Sequence, residues 1–312
     1  MARPRIGIAL GSGSARGWSH IGIIEALQDA GIEPDIVCGA SIGALVGAAY
    51  VTNRLSALKA YALAVTWRGV VGLLDVRLTG GGLINGQRII DLLRKLGISD
   101  KIEACAKPYT AIATDLESGR EIWLREGPIE TAVRASISLP GIFSPARHGD
   151  HWLVDGGLVN PVPVSVCRAL GADIVIAINL NGDIIEPLET GTRKKPMRRR
   201  LRALPPQFVR RLIDQMPSGL RTQASAIAPK LLQPALLSPG YFEVLANSIN
   251  IMQDQITRAR LAGDPPHIML TPRLRRIGLM EYHRAEEAIA EGRACVEQAL
   301  PALQRYIQAG AL

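Results

Sequence analysis

Residues Ile36–Tyr50 read IVCGASIGALVGAAY, an apolar run with a single serine, Ser41, framed by Gly39 and Gly43. The stretch DIVCGA before the serine has the β-branched composition of a buried strand, and the segment from Ile42 to about Thr52 reads as a helix. No loop separates them, so Ser41 falls on a sharp strand-to-helix turn. Gly-x-Ser-x-Gly in that context is the arrangement of a nucleophile elbow, in which small neighbours let a strained serine project from the turn. The other reading is a small-residue helix start packed into a core. The strand–turn–helix setting favours the elbow, and it makes the fold an α/β one.

Working outward, the alternation continues. RIGIAL is a strand, and WSHIGIIEALQDAGI carries apolar residues at helical spacing until Gly31 stops it. NGQRIIDLLRKLG is a helix opened by Asn85 and closed by Gly97. YTAIATDLESGREIWLRE reads as two strands joined at Ser118-Gly119. A helix near IETAVRASIS, a strand HWLVDGG, a helix VPVSVCRALGA and a buried strand DIVIAINL follow. The order breaks at Asn181, beyond which residues 183–240 form a basic, Pro/Arg-rich insertion or lid. C-terminal helices at about 241–312, the last an amphipathic helix over MEYHRAEEAIAEGRACVEQAL from Met280, with a strand HIMLTP between them, complete the same sheet. One domain spanning residues 1–312 is expected, built on a mostly parallel sheet with helices on both faces.

Bulk composition agrees. Among 312 residues 47% are hydrophobic and only 4% aromatic, a mixture that suits a doubly covered parallel sheet. Cys38, Cys105, Cys167 and Cys295 lie far apart with no C-x-x-C pair, which argues against zinc and redox motifs and for a reducing compartment. No targeting segment or membrane span stands out, so a cytoplasmic protein is expected. Much of the net charge of +8 comes from RKKPMRRRLR, Arg193 to Arg202. With few aromatics and no nucleic-acid motif, nucleic acid is not an expected partner; peripheral contact with an anionic membrane is.

Two further motifs bear on chemistry. LGSGSARG follows the first strand and leads into a helix, so its N–H groups are available to an anion. A dinucleotide fingerprint is not met, because the sixth residue from Gly11 is Arg16 and the glycine comes at Gly17. An oxyanion hole is the other use. Val154-Asp155-Gly156-Gly157 puts a carboxylate at a strand end on an open turn. Serine needs a base, and five histidines are available. His20 reads as ordinary surface or packing, and His148 and His151 as strand-edge residues. His267 and His283 fall in the Ser…Asp…His order of a triad hydrolase, without a loop signature around them. The remaining option is Asp155 itself, provided burial lifts its pKa.

Taken together, LGSGSARGWSHIGII, GASIG and DGG resemble the patatin-like phospholipases, in particular their small bacterial branch. ATDLESG and RASISLPGIFSP are similar to family segments between the serine and the aspartate. The resemblance covers Arg5 to about Leu180 strongly and the last helices more loosely. It implies a patatin-like three-layer α/β/α sandwich and a serine esterase acting on acyl lipids, phospholipid or lysophospholipid, with no metal and no cofactor. Carried over by position, Ser41 is the nucleophile and Asp155 the base. Gly13 and Ser14 supply the oxyanion hole, Arg16 braces the loop, and Gly11, Gly17, Gly39, Gly43, Gly156 and Gly157 shape the turns. Ser12 and Ser14 stand where the common family loop has glycine; the amides survive, but a positive φ at Ser14 costs more. A non-catalytic or weakly active regulatory member of the same fold is the alternative expectation.

Overall fold

A computed structural model describes residues 3–66, 86–183 and 241–309. Contacts divide the chain into one unit of Met1–Ile184 with Met252–Leu312 and another of Ile185–Ile251. The expected basic insertion, including Arg193 to Arg202, lies outside the described residues.

The first unit is built on an eight-stranded sheet. Four strands run side by side in parallel in the order β2 (Ile36–Ala40), β1 (Ile6–Leu10), β7 (Ile174–Ile178) and β8 (Ile268–Leu270). β3 (Tyr109–Asp115) joins β2, again in parallel. The remaining strands, β4 (Glu121–Leu124), β5 (Ala146–His148) and β6 (His151–Asp155), are antiparallel to their neighbours.

Side chains alternate across this sheet, and both faces are buried. Ile8, Leu10, Val37, Ile176 and Ile178 enter one core with α1 (Ser19–Asp29), α2 (Ile42–Val51) and α8 (Ala285–Ala309). Ala9, Ile36, Cys38, Val175 and Ala177 enter a second with α6 (Val164–Ala169). Near-continuous apolar strands of this kind are what a parallel sheet covered on both sides requires. The expected three-layer α/β/α sandwich is the observed fold.

The remaining helices are α3 (Leu55–Ala64), α4 (Gln87–Lys95), α5 (Ile129–Ser136) and α7 (Tyr241–Gly263). Two boundaries differ from the sequence reading. The residue preceding α4 is Gly86 at φ 78°, and Asn85 lies outside the described residues. The helix expected from Met280 starts at Ala285, because Glu281 turns back to accept the Gly278 N–H at 2.8 Å and residues Tyr282–Arg284 form a 3-10 turn. Its far end runs through Pro301 to Ala309, where the missing N–H forfeits one helical hydrogen bond.

The register around β3 positions the site. Ala40 of β2 pairs with Ile112, and Asp155 of β6 pairs with the next residue, Ala113. β4 pairs with both Ile112 and Ala113 from the opposite edge. β2 and β6 therefore occupy the same edge of β3, end to end, with their C-termini pointing at each other.

Candidate active site

Ser41 is the residue between the last of β2 and the first of α2. Its backbone sits at φ 56°, ψ −123°, a strained conformation for a residue with a side chain. Small neighbours make the turn feasible. A Cβ on Gly43 would lie 2.1 Å from the Leu10 carbonyl oxygen, and one on Gly39 would lie 2.4 Å from the Gly43 carbonyl oxygen. The strain is also held from outside. Ser41 N–H donates to Ser136 Oγ at 2.9 Å, and that hydroxyl donates to the Ile112 carbonyl at 2.5 Å. Ser136, at the end of α5, was not singled out from the sequence; its only signal was membership of the quoted RASIS segment.

Asp155 ends β6 and is completely buried. Its backbone is fixed on both sides, with N–H donating to Ser138 O at 3.0 Å and the carbonyl accepting from Thr114 Oγ1 at 2.8 Å. One carboxylate oxygen accepts the Gly157 N–H at 2.7 Å; the other accepts the Ser41 hydroxyl at 2.5 Å. Burial pushes the Asp155 carboxyl up from its ordinary 3.8 to about 6, outweighing those two hydrogen bonds, which favour the ionised form.

The histidines are occupied elsewhere. His151 Nδ1 lies 2.6 Å from Asp115, and His267 Nδ1 accepts the Val175 N–H at 3.0 Å. His148 stands opposite His151 in the β5–β6 pair, and His283 sits beside Glu281. Of the two readings for His20, surface or packing, the second holds: it is fully buried, with Nε2 2.8 Å from the Gly11 carbonyl oxygen. Burial lowers its pKa to about 4, so the ring is neutral, and a carbonyl partner requires that Nε2 carry the hydrogen. His20 thus pins the start of the glycine-rich loop.

That loop leaves β1 and enters a 3-10 turn, Ser14–Trp18, continuous with α1. Ser12 N–H donates to Pro161 O, Ala15 N–H to Leu279 O and Arg16 N–H to Gly13 O. Among the described residues, the Gly13 and Ser14 amides have no backbone acceptor, which leaves them available to an anion. Ser14 adopts φ 53°, the left-handed region expected to be costly there. Arg16 is buried, and its carbonyl accepts the Ser19 hydroxyl at 2.8 Å. Gly11, Gly17 and Gly156 press against the Ile178 carbonyl, the Ile42 side chain and the Ile112 carbonyl respectively.

Two polar residues from the C-terminal half of the unit also reach this cluster, and sequence reasoning missed both. Gln253 of α7 accepts the Ser12 hydroxyl at 3.0 Å and an Asn181 side-chain N–H at 3.1 Å. A Cβ on Gly157 would meet Gln253 Nε2 at 2.4 Å, and both Asp155 Oδ1 and Ser12 Oγ at 2.9 Å, so these groups converge on one spot. A glutamine within a long helix carries no local signal of such a role.

The family model described as Patatin-like phospholipase matches residues 8–168, which contain the loop, the elbow and the aspartate. The chain belongs to the patatin-like phospholipase family. An uncharacterized NTE family protein of Mycobacterium bovis is 33% identical over 333 residues, spanning 96% of this chain and 92% of its own length. Patatin-like phospholipase domain-containing protein 6 of Mus musculus is 32% identical over 192 residues, 59% of this patatin-like chain and 14% of that protein. Among solved structures, VipD from Legionella pneumophila aligns with 96% of this chain and 67% of its own, with 12% identity and a TM-score of 0.47. Family membership implies a lipid acyl hydrolase in general terms. Among the described residues, no helix is long and apolar enough to cross a membrane.

Proposed function

We propose that this patatin-like protein is a serine esterase that cleaves acyl esters of phospholipids or lysophospholipids through a Ser41–Asp155 dyad. The observation that carries this reading is the 2.5 Å hydrogen bond from the Ser41 hydroxyl to a carboxylate whose burial holds its pKa near 6. At neutral pH such a group is mostly ionised yet far more basic than an exposed aspartate, which is the compromise a general base needs.

In the first half-reaction Asp155 takes the Ser41 proton as Oγ attacks the ester carbonyl, forming the C–O bond of a tetrahedral intermediate. The Gly13 and Ser14 amides donate to its oxyanion. Collapse breaks the bond to the alcohol, which leaves carrying the proton from Asp155. In the second half-reaction water attacks the acyl-enzyme, Asp155 takes its proton, and collapse returns that proton to Ser41 with release of the fatty acid. Peripheral contact with an anionic membrane would bring the enzyme to its substrate.

The test is hydrolysis of a short p-nitrophenyl ester, together with fluorophosphonate labelling, by wild type, Ser41→Ala and Asp155→Asn. Loss of both signals in both folded variants is the expected result. Equal rates in all three proteins would remove the two residues from the mechanism. A wild type that neither labels nor hydrolyses would favour a regulatory member of the fold.

A further inference from the structure

Ser14 carries a side chain at φ 53°, a backbone conformation that persists in non-glycine residues where surrounding contacts over-determine it. Those contacts are visible. Ser14 Oγ donates to the Leu279 carbonyl at 2.7 Å and lies 2.7 Å from the Tyr282 hydroxyl. A serine hydroxyl has one hydrogen. With that hydrogen given to Leu279, the phenol must be the donor to Ser14. Burial raises the Tyr282 pKa, and the Asp155 charge adds to the effect, so the phenol keeps its proton at neutral pH.

The grip extends along the turn. Ala15 N–H donates to the same Leu279 carbonyl at 3.1 Å, and Trp18 Nε1 donates to the Tyr282 carbonyl at 3.1 Å. The Trp18 and Tyr282 rings meet edge to face with centroids 6.0 Å apart. A glycine at position 14 would have no hydroxyl for either side-chain bond. The serine thus replaces a loop that is merely permitted its conformation by one fastened in it. The fastener lies beyond residues 8–168, the segment matched by the family model.

Resting on the dyad and oxyanion-hole reading above, we infer that Tyr282 is a positioning residue for the oxyanion hole. It acts through the Ser14 hydroxyl, holding the Gly13 and Ser14 amides where the developing negative charge appears. The Tyr282 hydroxyl meets the loop at Ser14, so its contribution is the orientation of the donors, which acts on the transition state and not on ground-state binding.

Steady-state kinetics on p-nitrophenyl butyrate, with fluorophosphonate labelling rates alongside, test this in wild type, Tyr282→Phe, Ser14→Gly, the double variant and Ser41→Ala. Tyr282→Phe keeps the ring against Trp18 and removes only the donor. The expected result is a fall in kcat of about 5- to 10-fold with KM unchanged, and no further fall when Tyr282→Phe is added to Ser14→Gly. An unchanged kcat, or the same fall in both backgrounds, would overturn the inference. If Tyr282→Phe melts well below wild type, Ser14→Ala decides instead: it removes the hydroxyl that Tyr282 holds, and wild-type kcat in that variant overturns the inference equally. Active wild type with dead Ser41→Ala isolates these outcomes from the dyad reading; an inactive wild type, or an active Ser41→Ala, overturns both.

Discussion

Replacing Asp155 with asparagine should abolish turnover and, at neutral pH, make the protein more stable. Folding buries this carboxyl completely and raises its pKa from 3.8 to about 6. Because the folded value is the higher one, the native state binds the proton more tightly than the unfolded chain does. The stability from that proton is fully present below about pH 3.8 and is lost as pH rises through about 6. At about 1.36 kcal/mol per pKa unit, the ionised carboxylate costs the native state roughly 3 kcal/mol at pH 7 and above. Asparagine cannot ionise. Its Oδ1 can keep the Gly157 N–H, while its amide can donate to Ser41 Oγ in place of accepting from it. Chemical denaturation of both proteins between pH 4 and 7.5 measures the effect. The stability of Asp155→Asn relative to wild type should climb by roughly 2–3 kcal/mol over that interval. The quantity to read is the slope with pH, since any constant offset reports altered packing. A difference that stays flat across the interval would refute the claim that Asp155 is held at a raised pKa, and with it the argument for its basicity.

The same titration should appear in catalysis: kcat/KM of wild type should rise with pH through an apparent pKa of about 6 and level off above it, as read from initial rates at fixed ionic strength. Ser136→Ala leaves the Ser41 N–H and the Ile112 carbonyl without their shared hydroxyl, so it should cost about 1–3 kcal/mol in denaturant melts and lower kcat more than it changes KM. Gly43→Ala drives a Cβ to 2.1 Å from the Leu10 carbonyl oxygen, so a lower Tm together with loss of fluorophosphonate labelling is expected, the backbone overlap costing about 1–3 kcal/mol or more.

The parts of this structure that could be read in the sequence are those specified locally. Strand-to-helix steps at Leu10–Ser14 and Ala40–Ile42 follow from apolar runs interrupted by glycine, and the β3–β4 hairpin from Ser118-Gly119, where Gly119 adopts φ 67°. The helix over VPVSVCRALGA and the strand over DIVIAINL likewise carry their own periodicity. Features fixed by long-range contact were not readable. His20 gave no hint that it would lie under the Gly11 carbonyl, because nothing in a helix sequence says which residue a neighbouring loop will cross. Gln253 and Tyr282 meet Ser12 and Ser14 across more than 240 residues of chain. The start of α8 was misplaced because Glu281 spends its side chain on Gly278, a local competition that amphipathic spacing does not register.

The meeting of β2 and β6 along one edge of β3 has a bearing on how the chain acquires its chemistry. The hydroxyl follows the end of one strand and the carboxylate ends another; the two strands share no direct pairing, and both take their position from consecutive residues of a third, Ile112 and Ala113. Between Ser41 and Asp155 the chain travels through 114 positions before returning to that edge, so forming this contact carries the entropic cost of closing a long loop. Until β3 is seated and β6 has paired with it, the Ser41 hydroxyl has no Asp155 carboxylate to donate to. A nascent or partly unfolded chain therefore lacks this hydrogen bond, and on the proposed dyad reading the serine gains its base only once β2, β3 and β6 are assembled.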